Sequence, residues 1–329
     1  MATIGNSYLS LADAYRRQDG SGQIAEVIEM LAELNPILDD AMAMECNDGS
    51  KHLTTTRTGI PQGTWRKLYE GVQPAKSTTK QVHDTTGWLE AYSEVDAKLI
   101  ALAGKGGNAL RMDEAESFVQ GMSNQMASAM FYGDTATNPE QFMGLAPRFS
   151  SLAAETGGQI VNAGGAGADN TSVWFVVWSP RTVSLLYPKG SMAGVQRKDL
   201  GETTKEKADG SLYQIFREHF QWDVGMTVRD WRYVSRIANL DASDLASGSV
   251  DIVGLMIDAY YKLYQRRVRN GRAAIYCSTA VKTALHKKAR TDNNVNLTVE
   301  TVEGKEIVSF LGIPIREVDA ITNTEAVVA

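Results

Sequence analysis

Leu53-Thr54-Thr55-Thr56-Arg57-Thr58 and Ser77-Thr78-Thr79-Lys80-Gln81-Val82 are two β-branched runs. Between them lie Gly59-Ile60-Pro61 and a basic, aromatic segment, Trp65-Arg66-Lys67-Leu68-Tyr69. β-branched threonines favour extended chain. The spacing therefore predicts a long two-stranded hairpin with few core residues. An isolated hairpin is marginal in water, so this one calls for a partner. The plainer alternative is a solvated hairpin with incidental charge.

Charge changes sharply at the edge of this excursion. Residues 1–50 carry two arginines against nine carboxylates, a net −7, while residues 51–80 carry six cations against Glu70, a net +5. Residues 8–45 read as helical, because Ile24, Val27, Ile28, Leu31, Leu34 and Leu38 recur at three- and four-residue spacing. Ser21 suits an N-cap, and Asn35-Pro36 marks a break or restart. The pattern fits a first core helix and an arm docked on another surface equally well.

Downstream, residues 88–103 read as helix, and Gly104-Lys105-Gly106-Gly107 interrupts them. Residues 113–132 give the longest helical pattern, with Phe118, Met122, Met126 and Met130 at four-residue steps and Val119 beside them. That methionine stripe reads as core packing. Residues 154–171 read as a loop or boundary, and residues 173–178 as a buried strand. Ser179-Pro180 predicts a helix start. Residues 212–237 read as long strands turning at Asp223 to Gly225. An amphipathic helix over 249–268, a strand over 273–277, a helix over 278–290 and strand pairs over 305–318 complete an α+β chain.

A length of 329 residues suggests about two domains. With 43% hydrophobic and 22% charged residues the composition is globular. A net charge of −6 argues against a role resting on nonspecific DNA contacts. Cys46 and Cys277 form no disulfide framework, and four scattered histidines suggest no zinc site. No apolar run reaches the roughly 18 residues of a membrane span, and Met1 to Asp13 lacks the pattern of a secretory signal.

One motif invites an enzyme reading. Gly104-Lys105-Gly106-Gly107-Asn108-Ala109 fits G-x-G-x-x-A, but a dinucleotide turn needs a strand before it, and residues 94–103 look helical. No phosphate loop and no nucleophile elbow occur. Cys277 reads better as a buried small hydrophobe than as a nucleophile. No catalytic, cofactor-binding or metal residue is assigned, and no enzyme is expected. Nine cations and no carboxylate lie in residues 262–290. This cluster could meet phosphates, an acidic neighbouring subunit, or solvent. The overall negative charge ranks the subunit contact above DNA.

The order of parts resembles a tailed-phage major capsid protein of the Hong Kong 97-like superfamily. An acidic helical arm and a basic hairpin come first. A long helix ending in Tyr132-Gly133-Asp134 follows, then Asn138-Pro139-Glu140-Gln141-Phe142-Met143-Gly144-Leu145. Several blocks are similar to the epsilon fifteen-like branch of short-tailed phages: Arg57-Thr58-Gly59-Ile60-Pro61 with Trp65-Arg66; Gly71-Val72-Gln73-Pro74 with Lys76-Ser77-Thr78-Thr79; Trp178-Ser179-Pro180 with Tyr187-Pro188-Lys189-Gly190-Ser191; and Val228-Arg229-Asp230-Trp231-Arg232-Tyr233-Val234.

The resemblance implies an N-arm over 1–50, an E-loop over 51–90, and a peripheral domain over 91–248. The peripheral domain would hold the spine helix 113–132 and the strand block 173–237. An axial domain over 249–318 and a tail over 319–329 follow. The family's usual order puts peripheral strands last, so rearranged strand connectivity is expected. The implied function is the structural subunit of an icosahedral head enclosing double-stranded DNA. Implied partners are further copies in hexamers and pentamers, a portal protein, packaged DNA on the inner face, and a decoration or cement protein such as some relatives use; no membrane is implied. The implied location is the virion, with assembly in the host cytoplasm. Some relatives crosslink their shells, but no motif here marks the partners of that reaction. Candidate interface residues are Arg57, Trp65, Arg66, Lys67, Tyr69, Arg266, Arg267 and Arg269. The alternative is a nucleic-acid-binding protein using residues 262–290.

Overall fold

The computed structural model describes residues 35–265, 271–291, 297–302 and 305–329. Pro36 opens a short helix, α1 (Pro36–Asp40), where its missing N–H costs nothing. Strand β1 (Ala43–Glu45) precedes the hairpin strands β2 (Lys51–Gly59) and β3 (Thr78–Asp96). Asp96 caps α2 (Ala97–Ala103) by accepting the Lys98 N–H at 2.8 Å. A single 3₁₀ turn leads into α3 (Gly107–Tyr132), the longest helix among the described residues. After α4 (Leu145–Arg148) come β4 (Ile160–Asn162), β5 (Asn170–Trp178), β6 (Val183–Tyr187), β7 (Gln196–Glu206), β8 (Leu212–Val228) and β9 (Val234–Asp241). The chain continues through α5 (Ala242–Ser247), α6 (Ile252–Lys262), β10 (Arg272–Cys277) and α7 (Thr279–Thr291). It closes with β11 (Leu297–Val302), β12 (Lys305–Phe310), β13 (Ile313–Glu317) and an irregular C-terminal segment.

Strand β5 organises the interior. All nine of its residues are buried, and after Asn170, Thr171 and Ser172 it is a continuous apolar run, Val173 to Trp178, rather than an alternating one. Trp174, Val176 and Trp178 pack on one face with Met126, Ala127, Met130 and Phe131 of α3. Val173, Phe175 and Val177 pack on the other with Ile252, Met256 and Ala259 of α6 and Val281 and Leu285 of α7. Burying each such large side chain stabilises by about 1.5–3 kcal/mol. The sheet runs β11-β12-β13-β10-β5-β6-β8-β3-β2, with β1, β4, β7 and β9 paired off this path. The block 173–237 therefore touches α3 and, through β5, also pairs with β10 in the part read as axial.

Several elements differ from the sequence reading. Residues 88–96 are strand, not helix. They belong to β3, which pairs with β8 over eleven positions, from Thr86↔Gly225 to Asp96↔Ile215. Ser179-Pro180 starts no helix. It forms a tight turn in which Thr182 donates its N–H to the Ser179 carbonyl at 3.0 Å, and β6 follows. No turn occurs at Asp223 to Gly225, because β8 runs straight through. Gly225 is required by a close approach: a Cβ there would lie 2.7 Å from the Thr85 carbonyl oxygen. The long helix starts six residues earlier than expected, at Gly107. Of the N-terminal helical pattern, Ile24, Val27, Ile28, Leu31 and Leu34 lie outside the described residues, and residues 43–45 form a strand paired with β6. Ile37, Asp40 and Cys46, all read as arm, are buried in the body. The C-terminal segment also belongs to the core, where Ala320, Ile321 and Val328 are buried.

Candidate functional site

The hairpin leaves the body as two threonine-rich strands, registered from Lys51↔Thr85 to Arg57↔Thr79. Residues 60–77 form its tip and carry no regular structure. Trp65 and Tyr69 are fully exposed there, and Ile60, Leu68 and Val72 are also open to solvent. Tyr69 has φ 68°, a left-handed conformation that a bulky residue rarely adopts, just after Leu68 in a turn closed by the Glu70 N–H on the Lys67 carbonyl. Arg57, Arg66, Lys67 and Lys76 are exposed around it. Five sequence-predicted residues thus gather on one excursion: Trp65, Arg66, Lys67 and Tyr69 at the tip, and Arg57 on β2. Arg266, Arg267 and Arg269 lie outside the described residues.

The root is built differently. His52 and Asp84 are cross-strand partners on β2 and β3, and both are buried. Arg148, at the end of α4, donates to Asp84 Oδ1 at 2.8 Å and to the Met226 carbonyl at 3.1 Å. Arg229, just past β8, donates to the Pro180 carbonyl at 2.8 Å and to His52 Nε2 at 2.5 Å. Burial above all, then the Arg229 charge, holds the imidazole below its ordinary pKa, while Asp84 opposes this in part. Asn47 clasps the Leu53 backbone with its side-chain amide, and the Thr86 N–H donates to the Ser50 carbonyl at 3.0 Å. Gly87 lets the 138–142 loop lie on β3, since a Cβ there would sit 2.8 Å from the Glu140 carbonyl oxygen.

Two buried polar centres escaped sequence reasoning. Arg236 Nη2 lies 2.8 Å from Glu325 Oε2, and both side chains are about 95% buried. Tyr132 donates its hydroxyl to Glu325 Oε1 at 2.6 Å, Ser172 donates to the same carboxylate, and Arg236 stacks on Trp174. Burial and the Glu325 charge push the Tyr132 phenol well above its ordinary value. In the second centre Trp178 donates its indole N–H to the Tyr276 hydroxyl, which donates to Asp40. A lone charged residue inside an apolar strand, as Arg236 is in β9, was the available signal; its partner 89 residues away was not visible.

The remaining sequence features are quickly placed. The glycine patch at 104–107 joins two helices rather than a strand and a helix. Cys277 is fully buried, its thiol pushed up to about 12 chiefly by burial, with the S–H directed at the Arg316 carbonyl. Four cations of the basic stretch are engaged within the chain: Lys262 with the Gly158 carbonyl, Arg272 with the Asp39 carbonyl, Lys282 with Glu317, and Lys288 with the Val250 carbonyl.

The model of the major capsid protein GP7 family matches residues 19–329. No curated protein matches. Among solved structures, the cryo-EM structure of bacteriophage Epsilon15 matches all of this chain and all of its own, with 43% identity and a TM-score of 0.77. The capsid of bacteriophage JBD30 matches 89% of this chain and 93% of its own at 10% identity, with a TM-score of 0.50, a likeness of fold alone.

Proposed function

The chain belongs to the major capsid protein GP7 family, and from that premise we propose that its hairpin and N-terminal arm join neighbouring copies into rings of five and six. As the major capsid protein of a tailed phage with the Hong Kong 97-like fold, it forms the icosahedral head and is part of the virion. Trp65 and Tyr69, fully exposed at the end of a hairpin too thin to bury them, carry the proposal. Aromatic and arginine side chains are the usual anchors of interfaces, and here they stand together. Arg57, Arg66 and Lys67 reach acidic partners on the neighbour, each exposed pair contributing about 0–1 kcal/mol. Repetition over the shell multiplies these contributions, and charge sets the register.

The same reading takes residues 1–50 as the arm, of which Ile37, Asp40 and Cys46 pack into the body, and residues 51–90 as the E-loop, with α3 as the spine. A portal protein, packaged double-stranded DNA on the inner face and a decoration protein are its further partners, assembly takes place in the host cytoplasm, and the chain catalyses no reaction. The internal engagement of Lys262, Arg272, Lys282 and Lys288 leaves fewer cations for phosphates and so disfavours a nucleic-acid role for residues 262–290.

Electron microscopy of a Trp65→Ala, Tyr69→Ala double variant tests the proposal. The expected result is a folded subunit with unchanged thermal stability that closes few or no shells. Shells at wild-type yield and stability would overturn it.

A further inference from the structure

The root of the hairpin is a polar joint, not an apolar one. Its two strands offer His52 and Asp84, and the body offers Arg229 and Arg148. Those two contacts are good, yet the cluster is incompletely satisfied. His52 Nδ1, Asp84 Oδ2, Arg148 Nε and Arg229 Nε are buried without a hydrogen-bond partner among the described residues. A half-satisfied buried network is expensive, so its closed arrangement is held by a small margin. One contact also depends on protonation state. Arg229 is a donor, and His52 Nε2 accepts from it only while the imidazole is neutral.

We propose that His52 and Arg229 form a clasp that fixes the angle of the hairpin on the body, and that protonation of His52 opens it. This rests on the reading of the hairpin as the bridge between subunits, because an adjustable root lets one chain serve rings of five and of six. The charged groups facing the imidazole are Arg229 from the segment after β8, Asp84 from β3 and, through Asp84, Arg148 from α4. Protonation puts a second cation against Arg229, and Asp84, whose Oδ1 is taken by Arg148, offsets this only in part. The sign follows from linkage. The closed state holds the histidine below its ordinary value of 6.5, and the open state returns it there. Closure is therefore favoured above that pH and loses ground as pH falls through it, by up to about tenfold per pH unit until the depressed value is reached.

Hydrogen exchange of the full-length protein, read separately on free subunits and shells, tests the clasp. In free subunits, protection of peptides from 51–59 and 78–86 should fall, by up to about tenfold, between pH 7.5 and pH 5.5 relative to a peptide from β5. His52→Gln keeps an acceptor without titrating and should flatten that pH profile while retaining protection at pH 7.5. Arg229→Gln removes the neighbouring cation, brings the closed-state histidine nearer its ordinary value and should shrink the pH-dependent loss of protection. Protection independent of pH in the wild type overturns the proposal. So does an unaltered profile in His52→Gln, or parallel loss of protection in β5, which would mean global acid unfolding. None of these readings depends on where the tip docks, so failure of the clasp and failure of the subunit bridge are separately visible.

Discussion

Glu325→Gln should be among the most destabilising isosteric changes in the C-terminal segment. The carboxylate lies 2.8 Å from Arg236 and takes hydroxyl hydrogens from Tyr132 and Ser172, while its own backbone N–H donates to the Asn170 carbonyl at 2.9 Å. Glutamine keeps the shape and an acceptor but removes the charge. Arg236 then stays buried without a counter-ion, facing the Phe149 carbonyl at 2.7 Å and the Trp174 ring. Removing one partner of a buried pair costs about 3–5 kcal/mol. Against a total stability of roughly 5–15 kcal/mol that is a large share. At about 2–4 °C per kcal/mol the midpoint falls by roughly 6–20 °C. Thermal unfolding followed by circular dichroism, at matched protein concentration and assembly state, reads this directly. Tyr132→Phe deletes a single hydrogen bond to a charged group and should cost about 1.5–3 kcal/mol. An Arg236→Met, Glu325→Leu pair should be milder than the sum of its single changes, because neither charge is then stranded. A Glu325→Gln protein within about 1 kcal/mol of wild type would refute the reasoning, and would mean that the buried arginine is hydrated or already neutralised elsewhere.

Deleting residues 1–40 removes the buried Ile37 and Asp40 and should cost at least about 2–5 kcal/mol, which urea unfolding of the truncated and full-length proteins measures. Gly225→Ala places a methyl 2.7 Å from the Thr85 carbonyl and should destabilise by about 1–3 kcal/mol, with hydrogen exchange showing the loss concentrated at the β3–β8 seam. Glu317 accepts from the Thr279 hydroxyl and the Lys282 ammonium, which hold its carboxyl below the usual range. Its contribution, about 1 kcal/mol, is complete above the ordinary carboxylate pKa and is lost as pH falls through the depressed value. Denaturation midpoints of wild type and Glu317→Gln should therefore differ at neutral pH and converge in acid.

The sequence by itself determined the elements whose cause is local. Threonine runs gave the hairpin strands, because β-branched side chains restrict the backbone wherever they stand. Tyr132-Gly133 ended the long helix, and the methionine stripe at Met122, Met126 and Met130 went to the core. The exposed aromatic tip was legible for the same reason: a thin polar hairpin has nothing with which to cover Trp65 and Tyr69. The order of these local blocks also carried the family resemblance.

Tertiary structure decided whatever depended on a distant partner. Leu89, Glu90, Ala91 and Glu94 are residues of a helical or neutral kind, yet they lie in strand because β8, more than a hundred residues later, offers eleven registered pairings. Ile37 and Asp40 were read as arm because nothing near them in sequence shows that Tyr276, Arg272 and Arg316 wait around them. Glu325 stands in the short segment read as a tail, and only the fold brings Arg236 to it. The hairpin's root was illegible for the same reason. His52 is one of four scattered histidines until the end of β8 carries Arg229 against it. Propensity is a property of a few neighbouring residues, whereas burial and pairing are properties of the whole chain, and the second outweighs the first by several kcal/mol per buried group.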